Sequence, residues 1–97
     1  MAQVVYSENA LANLGRAFDF LAEHDPPAAV GAASAISEAV DTLSNHPLIG
    51  RTVASELREL VISYGKTGYI ALYRFLPVQD QVRILAIRHQ RELDYPI

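Results

Sequence analysis

Apolar positions in the first half of the chain recur at the three- and four-residue spacing of α-helices. A short β-branched and aromatic run, AQVVYS, comes first and predicts a strand that stops at Ser7. The same serine is a predicted N-cap for a helix that runs to about His24. One face of this helix carries an apolar stripe: Ala10, Leu11, Leu14, Phe18 and Leu21.

The segment HDPPAAV predicts that the first helix stops and a second one starts. Asp25 can cap the free amides of the new helix, and proline is tolerated in its first turn. The second stripe consists of Ala29, Ala33, Ile36, Val40 and Leu43. Two helices joined by so tight a turn form an αα-hairpin.

The hydrophobic period changes after SNHPLIGR, because the residues before Pro47 are disfavoured in a helix. Three strands are predicted at 57–63, 69–76 and 81–88, joined by short hairpin turns. The predicted order is β-α-α-β-β-β, an α+β fold in which the helical hairpin packs on a small, mainly antiparallel sheet. The last two strands are apolar on both faces, so we expect the second sheet face to be covered as well.

Composition fits one domain spanning residues 1–97, since the chain is 51% apolar and has the length of a single core. The absence of cysteine excludes disulfides and thiolate metal sites. No segment resembles a secretion signal or a membrane span, so we expect a soluble cytoplasmic protein that does not contact membrane. The scattered histidines, His24, His46 and His89, lack the spacing of metal ligands, and no cofactor motif is present.

Charge divides the chain into two unequal halves. Residues 1–50 carry one base, Arg16, and six acids, whereas residues 51–97 carry seven bases and five acids. The halves therefore differ in sign, at about −5 and +2, although the whole chain is at −3. A surface for an anionic partner is expected in the second half.

The segment RHQRELDY near the end of the chain concentrates the candidate functional side chains. Arginine can bind phosphate or carboxylate groups through its forked donors, and His89 can exchange protons near neutral pH. Tyr95 is expected to be available for contact. The simpler interpretation is that Arg83 and Arg91 are solvated and that Arg88 forms an ordinary ion pair with Glu92.

The succession VVYSENALANL, DPPAA, HPLIGR, RELVI, GYIALYRF and RILAIRHQRELDY resembles the RelE/ParE toxin superfamily of bacterial type II toxin–antitoxin modules. The resemblance covers nearly the whole chain. It implies a growth-arresting toxin of a plasmid-stabilisation type system, without a cofactor. It also implies a cognate antitoxin whose C-terminal segment wraps around the toxin in a hetero-oligomer, and an apolar groove for that partner along the sheet or the helix pair.

Two activities occur in that superfamily, and the departures from its nuclease pattern favour one of them. Ribonucleolytic members typically have an arginine directly after the GY of the third strand, where this chain has Ile70. His89 and Tyr95 stand roughly where some nucleases keep a histidine and a tyrosine. The acidic pI of about 5.5 also disfavours binding to ribosomal RNA.

The sequence therefore favours the ParE-like branch, whose members inhibit DNA gyrase through protein contact. The alternative is a ribosome-dependent messenger RNA endoribonuclease in which His89 moves protons and Arg74 binds phosphate. A non-toxic binding module of the same fold is a third interpretation. The expected functional surface consists of Arg51, Arg58, Arg74, Arg88, His89, Arg91 and Tyr95.

Overall fold

The computed structural model describes residues 1–96 and has the predicted α+β architecture with one additional strand. In chain order the elements are β1 (Gln3–Tyr6), α1 (Glu8–Ala22), α2 (Pro26–Asp41), a 3-10 turn (Thr42–Ser44), β2 (Arg51–Ala54), β3 (Leu57–Tyr64), β4 (Thr67–Leu76) and β5 (Gln81–His89).

Both helices begin at the predicted caps. The Ser7 side chain accepts a hydrogen bond from the Ala10 amide at 3.0 Å, and the Asp25 carboxylate accepts one from the Ala28 amide at 3.2 Å. Two amides that have no partner inside the helices are satisfied in this way. The local sequence therefore determines where the helical hairpin starts and turns.

The five strands form one sheet in the order β1-β5-β4-β3-β2. β1 runs parallel to β5, and all other pairs are antiparallel. The first strand of the chain thus lies beside the last, and the helical hairpin crosses one face of the sheet from β1 at one edge to β2 at the other. β5 has a bulge at Leu85, which lies between the partners of Leu72 and Tyr73 on β4.

The edge strand β2 was not predicted from the sequence. All four of its residues are exposed, so it lacks the alternation of apolar and polar positions that marks a half-buried strand. Its connection to β3 is a tight turn in which Ser55 has a positive φ of 44°. The structure therefore has four strands after the hairpin, where three were expected.

The core lies between the helical hairpin and the adjacent sheet face. Its largest fully buried side chains are Tyr73, Ile36, Leu43, Ile84, Val40 and Val82. Tyr69, Ala71, Tyr73 and Phe75 share this face of β4. The predicted stripe of α1 departs from the core at Leu11 and Phe18, which are 54% and 39% exposed, whereas Leu14 and Leu21 pack against the core.

Within residues 1–96, no helix is long and apolar enough to cross a membrane. The same part of the chain contains no group of three metal-ligating side chains.

Candidate functional site

Four arginines project from the sheet face that the helices leave uncovered. Register places them together, because residues directly opposite each other on neighbouring strands point to the same side. Arg74 lies opposite Arg83, Arg51 lies opposite Glu59, and Arg88 lies opposite Ile70. Glu59 in turn lies opposite Leu72, which shares its face of β4 with Arg74. We call this surface the arginine face, and its four guanidinium groups belong to Arg51, Arg74, Arg83 and Arg88.

Glu59 is a buried carboxylate on the arginine face, with an exposure of 8%. Its Oε1 accepts hydrogen bonds from Arg51 Nη2 at 2.8 Å and from Arg51 Nε at 3.0 Å. Its Oε2 accepts a hydrogen bond of 2.5 Å from the Tyr95 hydroxyl. Both carboxylate oxygens are therefore bound, as a buried charge requires.

The contacts of Glu59 also control its titration. Burial alone would raise the pKa of Glu59, but hydrogen bonds from Tyr95 and Arg51 and the nearby charges of Arg51 and Arg88 outweigh it and hold the pKa below the ordinary glutamate value. Burial, together with the hydrogen bond to Glu59, raises the pKa of Tyr95. At neutral pH the carboxylate is charged and the phenol is protonated, which is the combination that this hydrogen bond needs.

The C-terminal segment, residues 90–96, returns over the arginine face. The Arg88 guanidinium lies 5.1 Å from the centre of the Tyr95 ring, and the Asn9 side-chain amide donates to the Pro96 carbonyl at 3.2 Å. Ile70 and Ala86 on this face are only 6% and 4% exposed although no helix packs there. The C-terminal segment therefore covers part of the arginine face. Tyr95 was expected from the sequence to be available for contact, but its hydroxyl is bound to Glu59.

The expected ion pair between Arg88 and Glu92 is absent from the described residues. Arg88 Nη1 donates instead to the backbone carbonyl of Glu92 at 2.7 Å, and the Glu92 carboxylate accepts from the His89 amide at 2.9 Å. The chain turns sharply after β5, so the Glu92 side chain reaches the backbone of the strand end rather than the neighbouring guanidinium.

His89 lies on the opposite side of the sheet from the arginine face. It stands edge-on to Tyr69, with ring centres 5.3 Å apart. Its Nδ1 accepts from the Arg91 amide at 3.1 Å, which leaves Nε2 to donate to the Thr67 hydroxyl at 3.1 Å. Both ring nitrogens therefore have partners within the fold, and the imidazole holds the turn that leads into the C-terminal segment.

Two further predicted site residues are also separate from the arginine face. Arg58 points to the helix side of β3, where its Nη1 donates to the carbonyls of Leu48 and Gly50 at 3.1 and 2.8 Å. It therefore supports the loop before β2. Arg91 is exposed in the turn after β5. The structure brings Arg51, Arg74, Arg88 and Tyr95 together and leaves Arg58, His89 and Arg91 outside.

Arg74 marks the second acidic contact on the arginine face. Its Nη2 lies 2.7 Å from Glu56 Oε2, and both side chains remain partly exposed to solvent. Arg83, directly opposite, donates only to its neighbour Gln81 at 2.9 Å among the described residues. The Arg74–Arg83 end of the face is thus more open than the end that Tyr95 covers.

Sequence reasoning missed Glu59 as the residue on which the site is organised. One signal was present: an acid stands between Leu57 and Val61 at alternate, otherwise apolar positions of a strand. Such a position buries the acid unless the strand is at an edge, and a buried acid needs a cationic partner. The cationic partner is Arg51, on the neighbouring strand, and the second partner, Tyr95, lies 36 residues away and had no local signal.

The comparisons with known proteins agree with this architecture. The sequence model described as the ParE toxin of the type II toxin–antitoxin system parDE matches residues 4–94. The chain belongs to the ParE toxin family, within the RelE/ParE superfamily, and is a type II toxin by that membership.

Relatives cover nearly the full length of the chain. Toxin RelE2 of Caulobacter vibrioides is 36% identical over 93 residues, which are 96% of this chain and 100% of the relative. Toxin RelE3 of the same organism is 34% identical over 92 residues, or 95% of this chain and 98% of the relative. A solved structure titled as a chromosomal ParDE toxin–antitoxin system of P. aeruginosa matches with a TM-score of 0.76 and 22% identity, covering 92% of this chain and 96% of the other. That last likeness confirms the fold.

Proposed function

We propose that this toxin arrests growth by contacting DNA gyrase through the arginine face, and that a cognate antitoxin neutralises it in the cytoplasm. The observation that carries the proposal is the match of the ParE toxin model over residues 4–94. Four guanidinium groups on one sheet face provide the forked donors with which a protein binds acidic side chains. Arg51, Arg74 and Arg88 are the predicted contact residues on that face.

The environment of His89 supports protein contact over RNA cleavage. A general base must reach the proton that it abstracts, and both nitrogens of His89 are already hydrogen-bonded to the protein. Ile70, at the position of the nuclease arginine, is 6% exposed and lies opposite Arg88 in the sheet. Neither residue offers a phosphate a donor.

For the antitoxin we propose the outer side of the helical hairpin. Leu11 and Phe18 are two turns apart on α1 and therefore lie on one helix face, with exposures of 54% and 39%. An amphipathic helix or an extended apolar segment binds to such a stripe. A toxin with one partner on the helices and another on the sheet is expected to form a hetero-oligomer with its antitoxin.

The experiment is induction of the chain in bacteria, with supercoiling assays on purified gyrase. We expect growth arrest, DNA-damage signalling and loss of supercoiling activity. Arg88→Gln should weaken inhibition at least about tenfold, the scale of one charge-assisted contact. Arg16→Gln, which removes the same charge from exposed α1, is the matched control and should inhibit like the wild type.

The second candidate function, ribosome-dependent cleavage of messenger RNA, has one observation in its favour: relatives 34–36% identical carry the name RelE toxin. His89→Gln separates the two, because an amide can donate and accept hydrogen bonds but does not exchange protons near neutral pH. If His89→Gln abolishes arrest and transcripts are cut within ribosomes in the wild type alone, the nuclease function is correct. A chain that neither arrests growth nor inhibits gyrase would be a non-toxic binding module.

A further inference from the structure

The C-terminal segment has the chemistry of a ligand for the surface on which it lies. Its side chains include Glu92, Asp94 and Tyr95, and the surface beneath it carries Arg51, Arg74, Arg83 and Arg88. Tyr95 is the residue that contacts this cationic surface, and the exposed carboxylate of Asp94 stands directly before it.

Tyr95 is the anchor of this arrangement. Its hydroxyl reaches Glu59 on β3 while its ring lies against Arg88 on β5, so one side chain spans the three central strands. Positions 90–94 are exposed, and Leu93 is 99% exposed. Hydrogen bonds with Arg88 and His89 hold Arg91 and Glu92 in the turn after β5, at the start of the segment. Beyond Tyr95, the Pro96 carbonyl accepts a hydrogen bond from the Asn9 side chain.

We infer that the arginine face binds an acidic, aromatic-bearing segment of a partner protein, and that the chain's own C-terminal segment competes with that partner for the same place. The inference rests on the proposed function, since it gives the chemistry of the partner at the proposed contact surface. The net charge of the chain favours a short peptide over a nucleic acid. At −3 the whole molecule repels a long polyanion, whereas a short acidic peptide segment meets only the arginine face.

Competition from a tethered segment lowers the apparent affinity for a partner by the fraction of molecules in which the face is open. Removing the Tyr95 side chain should therefore increase the affinity of the arginine face for an external ligand, even though the same substitution removes contacts within the toxin. A residue with only a structural role would have the opposite or no effect. This sign makes the proposal testable without knowledge of the natural partner.

The probe is a fluorescent random copolymer of glutamate and tyrosine, compared with polyglutamate and with single-stranded RNA, on the full-length chain. Tyr95→Ala should bind the copolymer about tenfold more tightly than the wild type, and Tyr95→Phe, which keeps the ring, should show a smaller gain. The gain should be smaller for polyglutamate, which lacks the aromatic ring, and should vanish in the Tyr95→Ala/Arg88→Gln double variant.

Tyr64→Phe is the matched control. It removes a tyrosine hydroxyl of similar, intermediate burial from the helix side of β3, where that hydroxyl donates to the Ala28 carbonyl at 2.9 Å. Its copolymer affinity should equal that of the wild type, and thermal unfolding should show that every variant is folded.

Unchanged or weaker copolymer binding by folded Tyr95→Ala would overturn the competition. A larger gain for RNA than for the copolymer would overturn the assignment to a protein partner. Growth arrest by the wild type is scored separately: a chain that shows the copolymer gain but no arrest contradicts the proposed function and leaves this inference standing.

Discussion

At the scale of single residues, the buried carboxylate of Glu59 is the most exacting feature of the structure. Its two oxygens accept hydrogen bonds from Arg51 and Tyr95. The substitution Glu59→Gln keeps the shape of the side chain but removes the negative charge on which those contacts depend. We expect the free energy of unfolding to fall by about 2–3 kcal/mol at pH 7, measured by urea denaturation. Glu56→Gln, which breaks the exposed pair with Arg74, is the control and should cost less than about 1 kcal/mol.

The effect of Glu59→Gln should depend on pH with a definite sign. The folded pKa of Glu59 lies below its ordinary value of 4.5, because the bonds from Tyr95 and Arg51 outweigh burial. The carboxylate therefore contributes its stability above that value and loses it as the pH falls through the folded pKa. The difference between wild type and variant should be full at pH 7 and shrink steadily below pH 4.5. A difference that is constant or grows in acid would contradict the assignment.

Loss of the Tyr95 hydroxyl tests the other side of this bond. Tyr95→Phe leaves Glu59 Oε2 without its short donor, so we expect a loss of about 1–2 kcal/mol in unfolding free energy. Because the phenol stays protonated well above neutral pH, this loss should not change between pH 6 and 9, unlike that of an ordinary titrating group. A loss that varies across this range would show that another group accounts for it.

Residue-scale features differ in how far the sequence reveals them. Ser7 and Asp25 were predicted as caps because their partners lie three residues away, within reach of a local rule. Tyr95 was placed in a contact role, but its partner Glu59 was not found, since only tertiary structure joins them. His89 has the right chemistry for proton transfer, and only its neighbours show that both nitrogens are used.

At the scale of elements, two glycines in different environments provide a matched pair of substitutions. A Cβ at Gly68 would lie against the backbone carbonyl of Ile62 on the neighbouring strand, whereas a Cβ at Gly15 on α1 would meet nothing within 4 Å. Gly68→Ala should lower the unfolding free energy by about 1–3 kcal/mol, because neither strand can move without loosening the pairing of β3 with β4.

Gly15→Ala should have the opposite sign and stabilise the protein by about 0.5–1 kcal/mol, since alanine loses less backbone entropy in a helix. Denaturation midpoints of the two variants against the wild type measure both effects. Equal effects would mean that helix propensity and strand contact do not control these positions.

Element-scale prediction succeeded where the hydrophobic period was strong and failed where it was absent. The helices and the strands β3, β4 and β5 carry clear apolar periods and were found with nearly correct ends. β2 has only four exposed residues, and its strand conformation comes from pairing with β3 rather than from its own pattern. The stripe of α1 included Leu11 and Phe18 because periodicity finds the apolar side of a helix and not the boundary of the core.

At the scale of the whole molecule, the two layers carry opposite charge. The helical half holds six of the eleven acids and one of the eight bases, whereas four arginines lie on the open face of the sheet. An approaching acidic partner is therefore attracted to one side of the molecule and repelled from the other. This orientation follows from the order of elements, since the helical hairpin supplies the acids and β2 to β5 supply most of the bases.

Because the two layers carry opposite charge, we expect the association rate to depend on where in the molecule a charge is removed, and not only on the net charge that remains. Arg83→Gln and Arg16→Gln remove the same charge, but Arg83 lies on the open end of the arginine face and Arg16 lies on α1. Stopped-flow binding of the glutamate–tyrosine copolymer should show an association rate constant about threefold lower for Arg83→Gln, with little change in dissociation. Arg16→Gln should match the wild type, and raising the salt concentration should bring all three rates together. Equal slowing in both variants would show that the net charge alone sets the rate and that the arginine face does not steer its partner.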